Sequence, residues 1–178
     1  MSGSILLSHP SLQDPNFNKS VVFLSNHCED EGTLGVILNR PLGKQLFQLD
    51  DQFKNFALGE AEVFDGGPVD KEKLIIAAWD WKDNAQTFRL HFGIDISKAE
   101  SLREENKNIK IACFLGHSGW SPGQLEKELK VDSWLVSSLN LGLFEKVHTH
   151  SDCWRAAISR VSDEMKLLAN EPENPSFN

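Results

Sequence analysis

Apolar residues along the chain fall into two kinds of run, and the contrast predicts a mixed architecture. Short blocks rich in β-branched side chains and bounded by turn residues read as strands. These are residues 4–8, residues 19–26 (Lys-Ser-Val-Val-Phe-Leu-Ser-Asn) and residues 33–39 (Thr-Leu-Gly-Val-Ile-Leu-Asn). The acidic turn Glu29-Asp30-Glu31-Gly32 predicts an antiparallel pair over residues 19–39. Pro41 ends that pair, because proline cannot donate to a ladder. Residues 61–64, 74–79, 87–92, 109–115, 133–137 and 143–147 read as further strands. The nine residues from His9 to Phe17 form a polar connection with two prolines.

Helical periodicity is sparser. Leu46, Leu49, Phe53 and Phe56 recur at helical spacing and predict an amphipathic helix over residues 44–57. Residues 97–106 are charged and weakly helical. Ser121, Pro122 and Gln124 occupy the N-cap, N1 and N3 positions of a capping box and open the next helix. Trp154, Ile158, Val161, Met165 and Leu168 share one face of a last helix over residues 151–169. Strands outnumber helices and the first ones pair locally, so α+β fits better than a regular βαβ alternation. No linker divides the chain: residues 1–170 read as one domain and residues 171–178 as an extended, proline-punctuated tail.

Composition narrows the function classes. A chain of 178 residues, 40% hydrophobic and 25% charged, is long enough to bury a core without staples. Its net charge of −8 opposes sequence-independent nucleic-acid binding and attraction to an anionic membrane. The amino terminus lacks the basic region of a signal peptide, and no apolar run approaches the ~20 residues of a membrane-spanning helix. The three cysteines have no framework spacing, which fits reduced thiols and a cytoplasmic location. Cys28 precedes three acidic residues that oppose a reactive thiolate, and Cys113 lies in an apolar run as a small core residue.

Three constellations could carry chemistry. Gly116-His-Ser118-Gly-Trp120 follows a strand and precedes a helix, as a nucleophile elbow would, but Trp120 stands where the elbow needs glycine. Read for its glycines, the same loop resembles an anion cradle at a helix N-terminus, without the lysine of a P-loop. His148-Thr-His150-Ser-Asp152 is the sharpest cluster: in a strand the two histidines face one side, where one metal could bind both. Ser151 or Asp152 would equally serve as the N-cap of the last helix. Trp79 and Trp81 alternate around Asp80, so at most one faces the core and the other is open to a partner surface.

Three motifs in order resemble the YqgE/AlgH family. Gly35-Val-Ile-Leu-Asn-Arg-Pro41 matches its G-x-x-x-N-R-P, and Phe64-Asp-Gly-Gly-Pro-Val69 its G-G-P-V. Gly116-His-Ser-Gly-Trp-Ser-Pro-Gly-Gln-Leu-Glu126 matches its G-x-x-G-W-x-P-G-Q-L-E. The opening Leu6-Leu-Ser-His-Pro-Ser-Leu-Gln-Asp-Pro-Asn-Phe17 and the following Lys19-Ser-Val-Val22 are similar to the family's first segment. The resemblance implies an α+β fold, with a mixed, bifurcated β-sheet curled into a pseudo-barrel and flanked by helices. It implies a cytosolic bacterial protein without an established activity. Some members carry the label of transcriptional regulator, yet this chain shows no helix-turn-helix signature and no basic stripe. Ser118 stands where the family has a small non-nucleophilic residue, and His148-x-His150 where it tends toward acidic residues and proline.

The leading expectation is therefore a non-catalytic binding or regulatory module that takes a protein or small-molecule partner and reads no DNA directly. Its site would be lined by Asn39, Arg40, Gly66, Gly67, Gly116, Trp120, Gln124 and Glu126, brought together in space. Arg40 would supply a bidentate cation, Gln124 and Asn39 amide pairs, and Trp120 an apolar wall. No cofactor is expected. The alternative is a metal-dependent hydrolase using His148, His150 and Asp152. In a third reading the motifs are turn chemistry that serves folding alone.

Overall fold

A computed structural model describes residues 1–82, 87–139, 143 and 150–171. Its strands are β1 (Ser4–Ser8), β2 (Val21–Cys28), β3 (Gly32–Ile37), β4 (Pro41–Gln45), β5 (Glu62–Asp65), β6 (Val69–Lys82), β7 (Thr87–Ile94), β8 (Lys110–Trp120) and β9 (Trp134–Ser138). The helices are α1 (Leu46–Leu49), α2 (Ile96–Glu105), α3 (Gln124–Lys130), α4 (His150–Ile158) and α5 (Asp163–Asn170), with two 3₁₀ turns, Asp51–Asn55 and Ala57–Glu60, after α1. The order of strands along the sheet is β4-β5-β8-β3-β2-β1-β9, and β6 and β7 branch off at β8. The sheet is mixed, because β5 runs parallel to β8 while its other described pairings are antiparallel. It stays open, with β4 and β9 at its ends.

The continuous apolar runs of β1, β2 and β3 arise because both faces of this part of the sheet are covered. Ile5, Leu7, Val21, Phe23, Val36 and Leu38 point into one core beneath α4 and α5, with Trp154 and Ile158. Their neighbours Leu6, Val22, Leu24 and Ile37 point the other way, against Trp120, Leu125 and Trp134. A third cluster joins Leu46, Phe53 and Leu58 to β5, β6, β8 and α2.

Several elements differ from the expected ones. Pro41 does not merely end a strand; it begins β4, an edge strand, where a missing N–H faces no partner. The helix expected over residues 44–57 is broken into α1 and two 3₁₀ turns. Asp50 is extended and its carboxylate accepts the N–H of Gln52, so local side-chain capping wins over helix continuation. Only Leu46 and Phe53 of the periodic set are buried, while Leu49 and Phe56 are exposed. The last helix is likewise two: Ser162 caps α5 by accepting from the N–H of Met165 at 3.2 Å. Leu143 is helical and not in a strand, and residues 144–147 lie outside the described residues. Gly116–Trp120 is no loop but the second half of β8.

That last difference organises the molecule. Lys110–Leu115 runs between β5 and β6, whereas Ser118–Trp120 pairs with β3. Gly116, at a φ of +71°, makes the change of partner, and an added Cβ there would stand 2.6 Å from the Gly67 carbonyl oxygen. The Gly66 carbonyl accepts from the N–H of Ile37 at 2.9 Å, and the Gly66 N–H donates to Leu115 at 2.8 Å. The two glycine motifs thus interlock where the sheet branches.

Candidate functional site

The eight residues expected to line one site form two groups at opposite ends of β3. Asn39, Arg40, Gly66, Gly67 and Gly116 gather beyond its last residue, Ile37. Trp120 pairs with Thr33 at its start, with Gln124 and Glu126 following on α3.

In the first group the polar side chains are turned onto the protein's own backbone. Asn39 is fully buried; its Oδ1 accepts the N–H of Val21 at 2.8 Å and its Nδ2 donates to the Lys19 carbonyl at 2.9 Å. Arg40 Nη2 donates to Ser20 Oγ at 3.1 Å and to the Asn18 carbonyl at 3.4 Å. Burial pulls the Arg40 guanidinium below its usual pKa, with Asp65 and Asp14 opposing that shift. The Asn-Arg pair therefore pins residues 18–21 from behind. Ser118 is buried, its hydroxyl donating to the Gly66 carbonyl at 3.3 Å, so it is no exposed nucleophile.

The second group is a clamp. Glu128 Oε2 accepts from Trp120 Nε1 at 2.9 Å and from Trp134 Nε1 at 2.8 Å, while Oε1 accepts from Gln124 Nε2 at 2.9 Å. Gln124 Oε1 in turn accepts the N–H of Ser121 at 3.0 Å, one half of the expected capping box. The helix starts later than expected, behind Gly123 at a φ of +71°. Phe17 stacks on Trp120 and meets Trp134 edge-on, with centroids 5.9 and 5.4 Å away. Glu126 Oε1 lies 3.6 Å from His27 Nε2, and His27 Nδ1 lies 2.7 Å from Thr33 Oγ1.

The metal-type cluster is only partly described. His150 opens α4, so the strand alternation expected to align it with His148 does not hold at that residue. Asp152 is exposed, 3.5 Å from Arg155 Nη1, and His148 lies outside the described residues. Among the described residues no group of three or more His, Cys, Asp and Glu side chains is placed to hold a metal. Trp79 packs partly buried against the main core. Cys113 is buried, and desolvation pushes its thiol up to about 12. Among the described residues no helix is long and apolar enough to cross a membrane.

A concave site lies elsewhere. Residues 9–13 and 18–19 face α4 and α5 across a cavity of about 500 Å³. Its floor is apolar, with Trp154, Leu168 and Ala169; its wall carries His9, Asn18 and Lys19, and Glu171 stands on the helix side. Trp154 is anchored by its indole N–H, which donates to the Ser8 carbonyl at 2.9 Å. Lys19 adopts a φ of +52°, and Asn39 holds its carbonyl. A second depression of about 560 Å³ along α2 offers chiefly Phe56, Ile96, Glu100 and Glu104, and Glu100 is already capping Leu58 N–H at 2.6 Å. The volume of the first cavity falls within the range of small-molecule sites. Periodicity missed it because its walls come from segments some 140 residues apart. The available signal was the polar, two-proline connection after β1, whose residues 9–13 form one wall.

An open, branched α+β sheet flanked by helices defines the class. The chain belongs to the AlgH-like family, whose model matches residues 5–166. It is 32% identical over 186 residues to a UPF0301 protein of Streptomyces avermitilis, covering 100% of this chain and 95% of that one. It is 32% identical over 178 residues to a UPF0301 protein of Ruegeria pomeroyi, covering 95% and 96%. The crystal structure of protein DIP2367 from Corynebacterium diphtheriae shares the fold, with a TM-score of 0.71 at 22% identity over 95% of this chain and 91% of that one. The solution structure of the AlgH protein from Pseudomonas aeruginosa gives 0.63 at 25% identity, over 97% and 95%.

Proposed function

We propose that this AlgH-like protein is a non-catalytic, cytoplasmic binding module whose site is the cavity between residues 9–13, 18 and 19 and the helices α4 and α5. The observation that carries this reading is the division of labour around Asn39 and Arg40. Their side chains fix residues 18–21 from the buried side, which presents Asn18 and Lys19 at the cavity wall on a rigid support. An apolar floor with a few placed polar groups suits a small molecule better than a macromolecule. A regulatory role then runs through occupancy of the cavity, passed to a protein partner, and not through reading of DNA by this acidic chain.

The test is direct. Trp154 forms the floor, so its indole N–H resonance reports ligand entry. A metabolite panel that moves this resonance, together with a rise in melting temperature of several degrees at saturating ligand, supports the reading. Ligands that stabilise the protein while leaving Trp154 unmoved would place the site elsewhere.

A further inference from the structure

We infer that the depression between α2 and the turn at Phe56 docks a segment of a partner protein, one that carries a lysine or arginine near a large apolar side chain. This surface is independent of the cavity beneath α4 and α5. Its lining is Phe56, Ile96, Ser97, Glu100, Ser101 and Glu104. Ile96, Glu100 and Glu104 recur at every fourth residue of α2, and Ser97 and Ser101 form the adjacent row, so the five share one side of the helix. Glu100 fastens that side to the turn. Its Oε1 accepts from the Leu58 N–H at 2.6 Å and its Oε2 from the Ala57 N–H at 3.3 Å. The backbone next to Phe56 is thereby fixed against α2, and Phe53 meets the Phe56 ring edge-on with centroids 6.3 Å apart.

The apolar side chains of this depression face solvent. Phe56 is 44% exposed and Ile96 37%, and both line the same volume of about 560 Å³. The polar groups around them are uncommitted. Among the described residues the Glu104 carboxylate and the Ser97 and Ser101 hydroxyls have no partner. The lining holds two carboxylates and no cation, since Lys98 and Arg103 of α2 are not part of it. An exposed apolar pair rimmed by carboxylates and hydroxyls is complementary to an apolar anchor with a cation nearby. Helix geometry adds a register. Ile96 and Glu104 stand about 12 Å apart along α2, at ~1.5 Å per residue. An extended segment covers that span in roughly four residues, so its anchor and its cation should lie about four positions apart.

The test pans the full chain against a random dodecapeptide library and maps the enriched peptides on the backbone amide resonances of the protein. Peptides with a lysine or arginine about four positions from a leucine, phenylalanine or tryptophan are expected to dominate. They should shift Ser97, Glu100 and Ser101 and leave the Trp154 indole N–H unmoved. Glu104→Lys and Phe56→Ser should each weaken them about ten-fold. Glu104→Lys should do so with its melting temperature held, because the residue is exposed and a cation suits the last turn of a helix, so misfolding is not the cause. No enrichment, enrichment of peptides without a cation, or binding indifferent to Glu104→Lys overturns the docking surface and leaves the cavity reading untouched. Peptides that shift the Trp154 indole instead overturn it together with the small-molecule reading of the cavity. A concentration-dependent dimer that Phe56→Ser abolishes assigns the depression to a second copy of this chain and likewise overturns the proposal.

Discussion

The clamp around Glu128 and the wall of the cavity are both built from polar and aromatic residues, and they use them in opposite ways. In the clamp each carboxylate oxygen of Glu128 already accepts from a protein donor, and both indole N–H groups are satisfied. Neither indole N–H is left to donate to a ligand. At the cavity wall the buried residues Asn39 and Ser20 take up the backbone bonds, and residues 9–13, 18 and 19 line a volume large enough for a small molecule. A conspicuous motif is thus no guide to a binding site until the partners of its polar atoms are counted. The Gly-Trp-x-Pro-Gly-Gln-Leu-Glu stretch is conspicuous because it holds α3 against the sheet.

The contrast can be broken by mutation. Glu128→Ala leaves two buried indole N–H groups without an acceptor and is expected to destabilise by about 3 kcal/mol. Urea unfolding measures it, and ligand binding at the Trp154 cavity should be unchanged; a loss of binding with little loss of stability would make the clamp the site. Asn39→Ala orphans the Val21 N–H and the Lys19 carbonyl, for about 2 kcal/mol, and should also weaken cavity binding because the wall is no longer held. Glu128→Gln keeps an acceptor for the indoles and disturbs mainly the Gln124 contact, for about 1 kcal/mol.

The smallest effect near neutral pH is that of Cys113. Burial raises its thiol from an ordinary value of 9.0 to about 12, so the folded state holds the proton more tightly than the unfolded one. That contribution to stability is complete below the ordinary value and is lost progressively as pH rises through it toward about 12. A thiol reagent at pH 8 should modify the partly exposed Cys28 in the native protein and reach Cys113 and Cys153 only on unfolding.

Much of the sheet was legible because strands of this kind are defined by local pattern. The apolar blocks at residues 4–8, 19–26 and 33–39 correspond to β1, β2 and β3, and the antiparallel pair over residues 19–39 is present with one irregularity between Leu24 and Asn26. Helix continuity was less legible, because Asp50 and Ser162 act through side-chain bonds that apolar spacing does not register. The strand character of Gly116–Trp120 was hidden by glycines that look like a turn but serve a change of partner. For the site, the motifs singled out Asn39 and Arg40 as donors to a ligand. They gave no sign that these side chains support residues 18–21 from behind. The cavity itself depends on where α4 and α5 come to rest, which is a property of the assembled core.

The change of partner within β8 also has a kinetic meaning. The hairpin of β2 and β3 can form early from neighbouring residues, but β5 meets β8 only across more than 40 residues, and β3 only across more than 80. Two-thirds of the polypeptide must therefore be synthesised before either branch of the sheet is complete. Because one continuous strand closes both, the branches are expected to gain their order together, and probes on either branch should report one coincident unfolding transition.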